Sequence, residues 1–259
     1  AYEIGVRLVG SEMCIRDRTR VHDVTTSEAS MTLRYAPGES FVNSKQRRVP
    51  VSLDAPVFTL THAMGFKGVL GGEYNFNRTE ASIWKRFWLP ASWGKIDCSV
   101  KAGAEWNTVP FPLLILPEAN LSYITQRETF CLINNMEFLN DRFASMSISY
   151  DMNGKLFNRI PLLKNLKWRE MFRVRALWGT LTDKNNPFKS SNPDLFRFPT
   201  RDGKFTSFVM DPKVPYVEAS VGIYNIFKLL HVEYVHRFTY RDNPGINKNG
   251  IRFMVLMVF

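Results

Sequence analysis

Long stretches of strict two-residue alternation constrain this chain more than any other feature. In KIDCSVKAGAEW (95–106), Ile96, Cys98, Val100, Ala102, Ala104 and Trp106 alternate with Asp97, Ser99, Lys101, Gly103 and Glu105. FASMSISYDM (143–152) sets Ala144, Met146, Ile148, Tyr150 and Met152 against serines and Asp151. In the stretch around ASVG, Val217, Ala219, Val221 and Ile223 oppose Glu218, Ser220 and Gly222. Successive side chains of a strand point to opposite faces, so each pattern predicts a β-strand with one apolar and one polar face. MTLRY (31–35), VFTLTHAM (57–64) and LHVEYVHRFTY (230–240) repeat the rule, the last with Val232, Tyr234, Phe238 and Tyr240 opposite His231, Glu233, Arg237 and Thr239. In EYNFNRTEASIWKRFWL (73–89) the alternation slips, and ETFCLINNMEF (128–138) carries an Asn pair; each is read as a strand with a bulge. With LKWREMFRVRALWG (166–179) and the terminal GIRFMVLMVF, about ten strands are expected.

Two architectures offer such strands a home, a soluble sandwich and a membrane barrel. Many segments run to about nine residues or more, beyond the usual soluble length and near the 9–11 that a tilted strand needs to cross a bilayer. Trp84, Phe87, Trp88 and Trp93 gather at strand ends, as interfacial girdles do. Full charges sit inside strands, at Arg169, Arg173, Arg175, Glu233 and Arg237, where a polar lumen accommodates them. The chain stops on an alternating strand ending in Phe259, the kind of terminal strand read by the outer-membrane assembly machinery. The expectation is therefore an all-β fold, the C-terminal portion of an antiparallel transmembrane β-barrel over residues 28–259, open or incompletely closed. Placing Phe259 on the periplasmic side puts 224–228, 66–72, 107–126 and 154–165 at that side, and 38–54, 184–215 and 241–249 outside.

Residues 1–27 are set apart as a leader. Leu8 to Asp17 back-translate as CTC GTG GGC TCG GAG ATG TGT ATA AGA GAC, which resembles a transposase adapter of sequencing libraries translated in frame. Residues 1–18 are accordingly expected to find no consistent place in the sheet. Net charge stays at +10 with or without them. That basicity admits nucleic acid, an anionic membrane surface or a basic cavity. WKRFWL (84–89) reads as an aromatic girdle beside headgroup contacts rather than as a base-stacking platform, so no nucleic-acid partner is expected. No cofactor is expected either: beyond Cys14, only Cys98 and Cys131 remain, with no CxxC or Cys/His cluster.

LRYAPGESFV (33–42), GVLGGEYNFNRTEASIWKRFWL (68–89), VPFPLLILPEANLSY (109–123), 136–170 and 215–244 together resemble the C-terminal region of a Gram-negative, Bacteroidetes-type outer-membrane family of unassigned function. The resemblance implies a barrel preceded by a carboxypeptidase-regulatory-like domain, in an arrangement reminiscent of TonB-dependent receptors. It implies an outer-membrane location and lipid contact, and no reaction.

Candidate sites weigh against an enzyme. His231 and His236 fall on opposite strand faces and cannot share a metal, and His62 stands alone on an apolar face. No nucleophile, base and orienting group assemble. Arg169, Arg173 and Arg175 share a strand face and, with Glu218, Glu233 and Arg237, are expected to form a lumen-facing polar network in which the carboxylates neutralise the cations. Two functions stay open: a receptor or transport-related barrel handling a solute, or a structural, assembly or surface-interaction role with an envelope protein partner, for which loop 184–215 offers a surface.

Overall fold

The computed structural model describes residues 15–16, 19–20, 24–43, 48–52, 54–120, 122–124, 128–190, 195–196, 198, 200–201 and 204–255. Nine strands form one antiparallel sheet in which each strand pairs with its predecessor along the chain. They are β1 (Glu28–Tyr35), β2 (Val57–Gly65), β3 (Phe76–Trp88), β4 (Lys95–Glu105) and β5 (Arg142–Asp151), followed by β6 (Arg169–Thr180), β7 (Tyr216–Ile226), β8 (Leu230–Arg237) and β9 (Asn249–Val255). The sheet is not closed: β1 and β9 are its two edges. Tyr123 reaches one of them, its carbonyl accepting the Phe253 N–H at 2.7 Å. Among the described residues of the leader, Ile15–Arg16 pair only with Thr19–Arg20. The rest of the adapter-like stretch, and Phe259, lie outside the described residues.

The register carries one apolar stripe across all nine strands. Residues directly opposite on neighbouring strands share a face, and the pairings link Leu33–Leu60–Ala81–Ala102–Ala144–Trp178. A second row runs Tyr35–Phe58–Ile83–Val100–Met146–Ala176–Val217. A third runs Phe87–Ile96–Tyr150–Phe172–Val221–Tyr234–Ile251. This face is open: Leu33 is 53%, Val100 44%, Val221 52% and Ile251 51% exposed. The opposite face carries Thr32, Thr61, Glu80, Lys101, Ser147, Arg175, Glu218 and Arg237; it is open at β1, and covered over β6–β8, where Arg175, Glu218 and Arg237 are buried. Its cover comes from the chain itself. The β4–β5 connection brings Val109, Phe111, Leu114 and Leu139 against Phe196, Phe198 and Phe76. Phe130, Ile133 and Phe138 pack on Leu177, Met210 and Tyr216. Apolar burial thus occurs between the wall and inserted loops, while the wall's own apolar face stays outside, the inverse of a soluble sandwich.

Three expectations are corrected. Residues 128–138 form no strand: Phe130, Cys131, Leu132 and Ile133 are buried without alternation, and Met136 takes a left-handed φ of 59°. Their N–H groups find carboxylates instead of a ladder, as described below. The 73–89 segment needs no bulge, since β3 pairs without a break from Arg78↔Glu105 to Trp88↔Lys95. The irregularity lies instead between Ile223 and Ile226 at the β7–β8 turn. Tyr240, expected to face outward, turns in at φ 52° and meets the Phe138 ring at 5.1 Å.

The loss of one strand has a consequence for orientation. With nine strands rather than ten, every connection before residue 128 changes end. Connections 66–75, 106–141, 181–215 and 238–248 share one end, hereafter the upper. Connections 36–56, 89–94, 152–168 and 227–229 share the lower. Cross-loop bonds agree: Val109 N–H donates to Asn185 Oδ1 at 2.9 Å, Asn134 Nδ2 to the Gly245 carbonyl at 3.0 Å, and Lys155 Nζ to the Ala91 carbonyl at 2.9 Å. Residues 107–126 therefore lie with the long 184–215 loop, and 38–54 and 66–72 exchange ends relative to the expectation.

Candidate functional site

The inner face of β6, β7 and β8 holds the most concentrated chemistry in the molecule. Arg173, Arg175, Glu218, Glu233 and Arg237 occupy inward positions dictated by the alternation, and all are buried. Arg175 Nη1 donates to Glu218 Oε1 at 2.9 Å, and Arg173 Nη1 donates to both Glu233 oxygens at 3.1 Å. Ser220 Oγ also donates to Glu233, and His231 Nε2 stands 3.5 Å from it. The expected neutralisation of Arg173 and Arg175 by Glu233 and Glu218 is therefore present in the geometry.

Arg237 departs from that scheme. Its partner is Glu137, from the inserted connection, at 2.5 and 3.0 Å, and its Nε and Nη2 donate to the Thr239 and Tyr240 carbonyls at 3.0 and 2.8 Å. The guanidinium also lies 4.8 Å from the Tyr216 ring centroid. Arg169 stays out of the network: it is exposed near the lower end, 5.9 Å from the Tyr224 ring.

The network clasps residues 130–137 against the wall. Glu218 accepts the N–H of Cys131 at 2.9 Å and of Leu132 at 3.1 Å, besides the Tyr216 hydroxyl at 2.9 Å. Arg252 donates to the Cys131 carbonyl, and Arg237 Nη1 to the Leu132 carbonyl at 3.2 Å. Glu137 accepts the Asn134 N–H at 3.0 Å and Asn243 Nδ2 at 2.9 Å. Buried peptide groups that a strand would pair in a ladder are here paired by wall side chains. Burial pushes the Cys131 thiol up, with Arg175 opposing and Glu218 adding to the rise, so it stays protonated.

A second clasp secures the loops to each other. Asp141 is fully buried and accepts Thr182 N–H at 3.2 Å, the Thr182 hydroxyl and Asn185 Nδ2 at 2.9 Å. Asn185 Nδ2 also reaches the Asn107 carbonyl at 3.2 Å. Glu137, Asp141 and Arg252 were missed from sequence because their partners lie about a hundred residues away or in loops without periodicity; strand parity flagged the rest.

What this arrangement can do chemically is anchor. Arg173, Arg175 and Arg237 each face a carboxylate, Arg252 bonds the Cys131 carbonyl, and no group of His, Cys, Asp and Glu suited to a metal ion occurs among the described residues. His62 is satisfied on the outer face, its Nδ1 2.9 Å from Thr79 Oγ1. No helix among the described residues is long and apolar enough to cross a membrane, which leaves crossing by strands untouched.

No curated protein matches the chain. The model of the C-terminal domain of a family of unknown function, DUF5686, matches residues 16–188, from the leader through β6. With that match covering well over half of the sequence, the chain belongs to the DUF5686 family of unknown function.

Proposed function

We propose that the nine strands are a section of the wall of an outer-membrane β-barrel, non-enzymatic and receptor- or transport-related, with TonB-receptor-like affinities. The observation that carries this reading is the continuous outward apolar face over a polar, loop-filled interior. A soluble monomer rarely exposes more than a few hundred Å² of contiguous apolar surface. Here the stripe crosses every strand from Met31 to Val255, and lipid is the environment that such a face fits. Strand length agrees. β4 and β7 have 11 residues each. At ~3.3 Å per residue and a tilt near 45°, such a strand spans roughly 25 Å of thickness, the height of the apolar band of outer-membrane barrels. Tyr35, Phe58, Phe87 and Tyr150 mark its lower margin, and Trp106, Trp178 and Phe238 its upper margin. The unpaired edge of β1, and a β9 edge met among the described residues only at Phe253, fit a wall continued by further strands.

The paired state of Arg173, Arg175 and Arg237 favours a second reading for this section, a structural role in the envelope, since neutralised arginines recruit no anionic solute. Phe259, which lies outside the described residues, would engage the assembly machinery, and a solute or envelope protein partner would act elsewhere on the wall or its loops.

The test is a charge scan. In a lipid-facing wall, Val221→Arg costs about 2–4 kcal/mol in folding from phospholipid vesicles. Val221 is half exposed, so in a water-facing sheet the same change stays within about 0.5 kcal/mol. Urea titration of vesicle-reconstituted protein separates the two, and the smaller value refutes the barrel.

A further inference from the structure

Arg173, Arg175 and Arg237 on the inner face are paired with carboxylates, but three of the four lower connections together carry cations and no acid of their own. Connections 89–94, 152–168 and 227–229 contain Lys155, Arg159, Lys164, Lys167 and Lys228 and no carboxylate. Of the nearby strand-end acids, Asp97 holds Arg86 at 2.6 Å, Asp151 stands 3.7 Å from Lys95 Nζ and takes Tyr224 Oη and the Asn153 N–H, and buried Glu170 gives one oxygen to the Leu156 N–H at 2.5 Å, its Oε2 having no hydrogen-bond partner among the described residues. Arg159 is exposed and makes no ion pair among the described residues.

These cations are not spread over a solvated loop. Ser92, Asn153, Lys155, Asn158 and Arg159 line an open recess of about 420 Å³ between the β3–β4 and β5–β6 connections. Its walls are fixed: Lys155 bonds the Ala91 carbonyl and sits 5.1 Å from the Trp93 ring centroid. Gly154, at φ 78°, lets the turn close, since a Cβ there would meet Asn158 Nδ2 at 3.1 Å and the Trp168 carbonyl at 3.2 Å. The recess therefore offers an ammonium, a guanidinium, a hydroxyl and two amides. The same end of the sheet exposes apolar side chains, Leu156, Ile160, Leu162, Leu166 and Phe227, the last 84% exposed. A polar, cationic hollow at an end that also exposes apolar side chains matches a molecule with an anionic head and acyl chains.

We propose that this recess binds the phosphodiester headgroup of an anionic phospholipid, with Lys155 and Arg159 on the phosphate and the exposed apolar side chains of the 152–168 connection against the acyl chains. The proposal rests on the membrane reading and commits to lipid rather than free phosphate.

The experiment titrates the full chain, in a neutral detergent, with dihexanoyl phosphatidylglycerol below its micellar concentration, followed by calorimetry. Glycerol 3-phosphate and dihexanoylglycerol serve as the headgroup-only and tail-only probes. We expect saturable binding of the phospholipid. The double variant Lys155→Ala/Arg159→Ala should weaken it about thirtyfold, from the contribution of two cations beside an anionic surface, while Lys189→Ala at the upper end leaves it unchanged. Equal binding of dihexanoylglycerol, equal binding of glycerol 3-phosphate, or an unchanged affinity in the double variant overturns the proposal. Insertion into pure phosphatidylcholine vesicles is scored separately. Wild type and double variant should insert alike, and failure of both to insert refutes the membrane reading while the micelle titration still decides the recess.

Discussion

If the wall network clasps the inserted segment, removing its central carboxylate should open that segment without dissolving the sheet. Glu218 is the residue to change, because it is wholly buried and its two oxygens serve Arg175, Tyr216 and the N–H groups of Cys131 and Leu132. In Glu218→Ala, Arg175, whose side chain is 2% exposed, keeps its charge and loses its carboxylate, while two peptide N–H groups lose their acceptor. Breaking one partner out of a buried pair costs about 3–5 kcal/mol. Lifting residues 130–137 off the wall relieves most of that cost, because water then reaches the guanidinium and both amides. The opening equilibrium should therefore rise by roughly 150- to 5,000-fold, at about 1.4 kcal/mol per decade. Cys131 reports it directly: it is 1% exposed, so alkylation by iodoacetamide requires opening. The assay uses a Cys14→Ser/Cys98→Ser background and counts modification by mass spectrometry against time. Arg175→Met/Glu218→Gln removes both charges and leaves an amide oxygen for the two N–H groups, and it should recover at least half of the protection. A rate increase under tenfold in Glu218→Ala, or no recovery in the double variant, refutes the clasp.

Other outcomes follow from the same structure. Lys189 and Asp183 form an exposed pair at 2.9 Å, so Lys189→Ala should shift the urea midpoint by no more than about 1 kcal/mol in equivalent stability, and high salt should remove even that. Gly94→Ala should cost well over 1 kcal/mol by the same titration, since its φ is 89° and a Cβ would fall 1.8 Å from the Asp151 carbonyl oxygen; Gly38→Ala, with φ 75° but open space, should cost only about 1 kcal/mol. Burial raises the Cys131 thiol above its unfolded value, so the folded state holds its proton more tightly. That contribution is complete below the ordinary thiol range near 8.5 and is lost as pH rises above it, so protection of the 130–137 segment from proteolysis should fall in alkali, and Cys131→Ala should flatten the profile.

The alternation in 95–106, 143–152, 166–179, 216–223 and 230–237 was enough to determine strand type, the partition of faces and the inward position of Arg173, Arg175, Glu218, Glu233 and Arg237. That follows because side-chain direction in a strand is a local, two-residue property. Serines and charges on one side and aliphatics on the other required no knowledge of the neighbours. ETFCLINNMEF lay beyond this reasoning. Its apolar residues and β-formers suit a strand, yet its amides are satisfied by Glu218, some eighty-seven residues away, and by Glu137, and no local pattern encodes a partner at that distance. Since strand direction alternates, that one segment also reversed the end to which 38–54, 66–72 and 107–126 belong. Whether the sheet closes, and which arginine meets which carboxylate, was decided only by tertiary structure. The alternation states that Arg237 faces inward, but it took the return of the 106–141 connection onto the wall to place Glu137 against it.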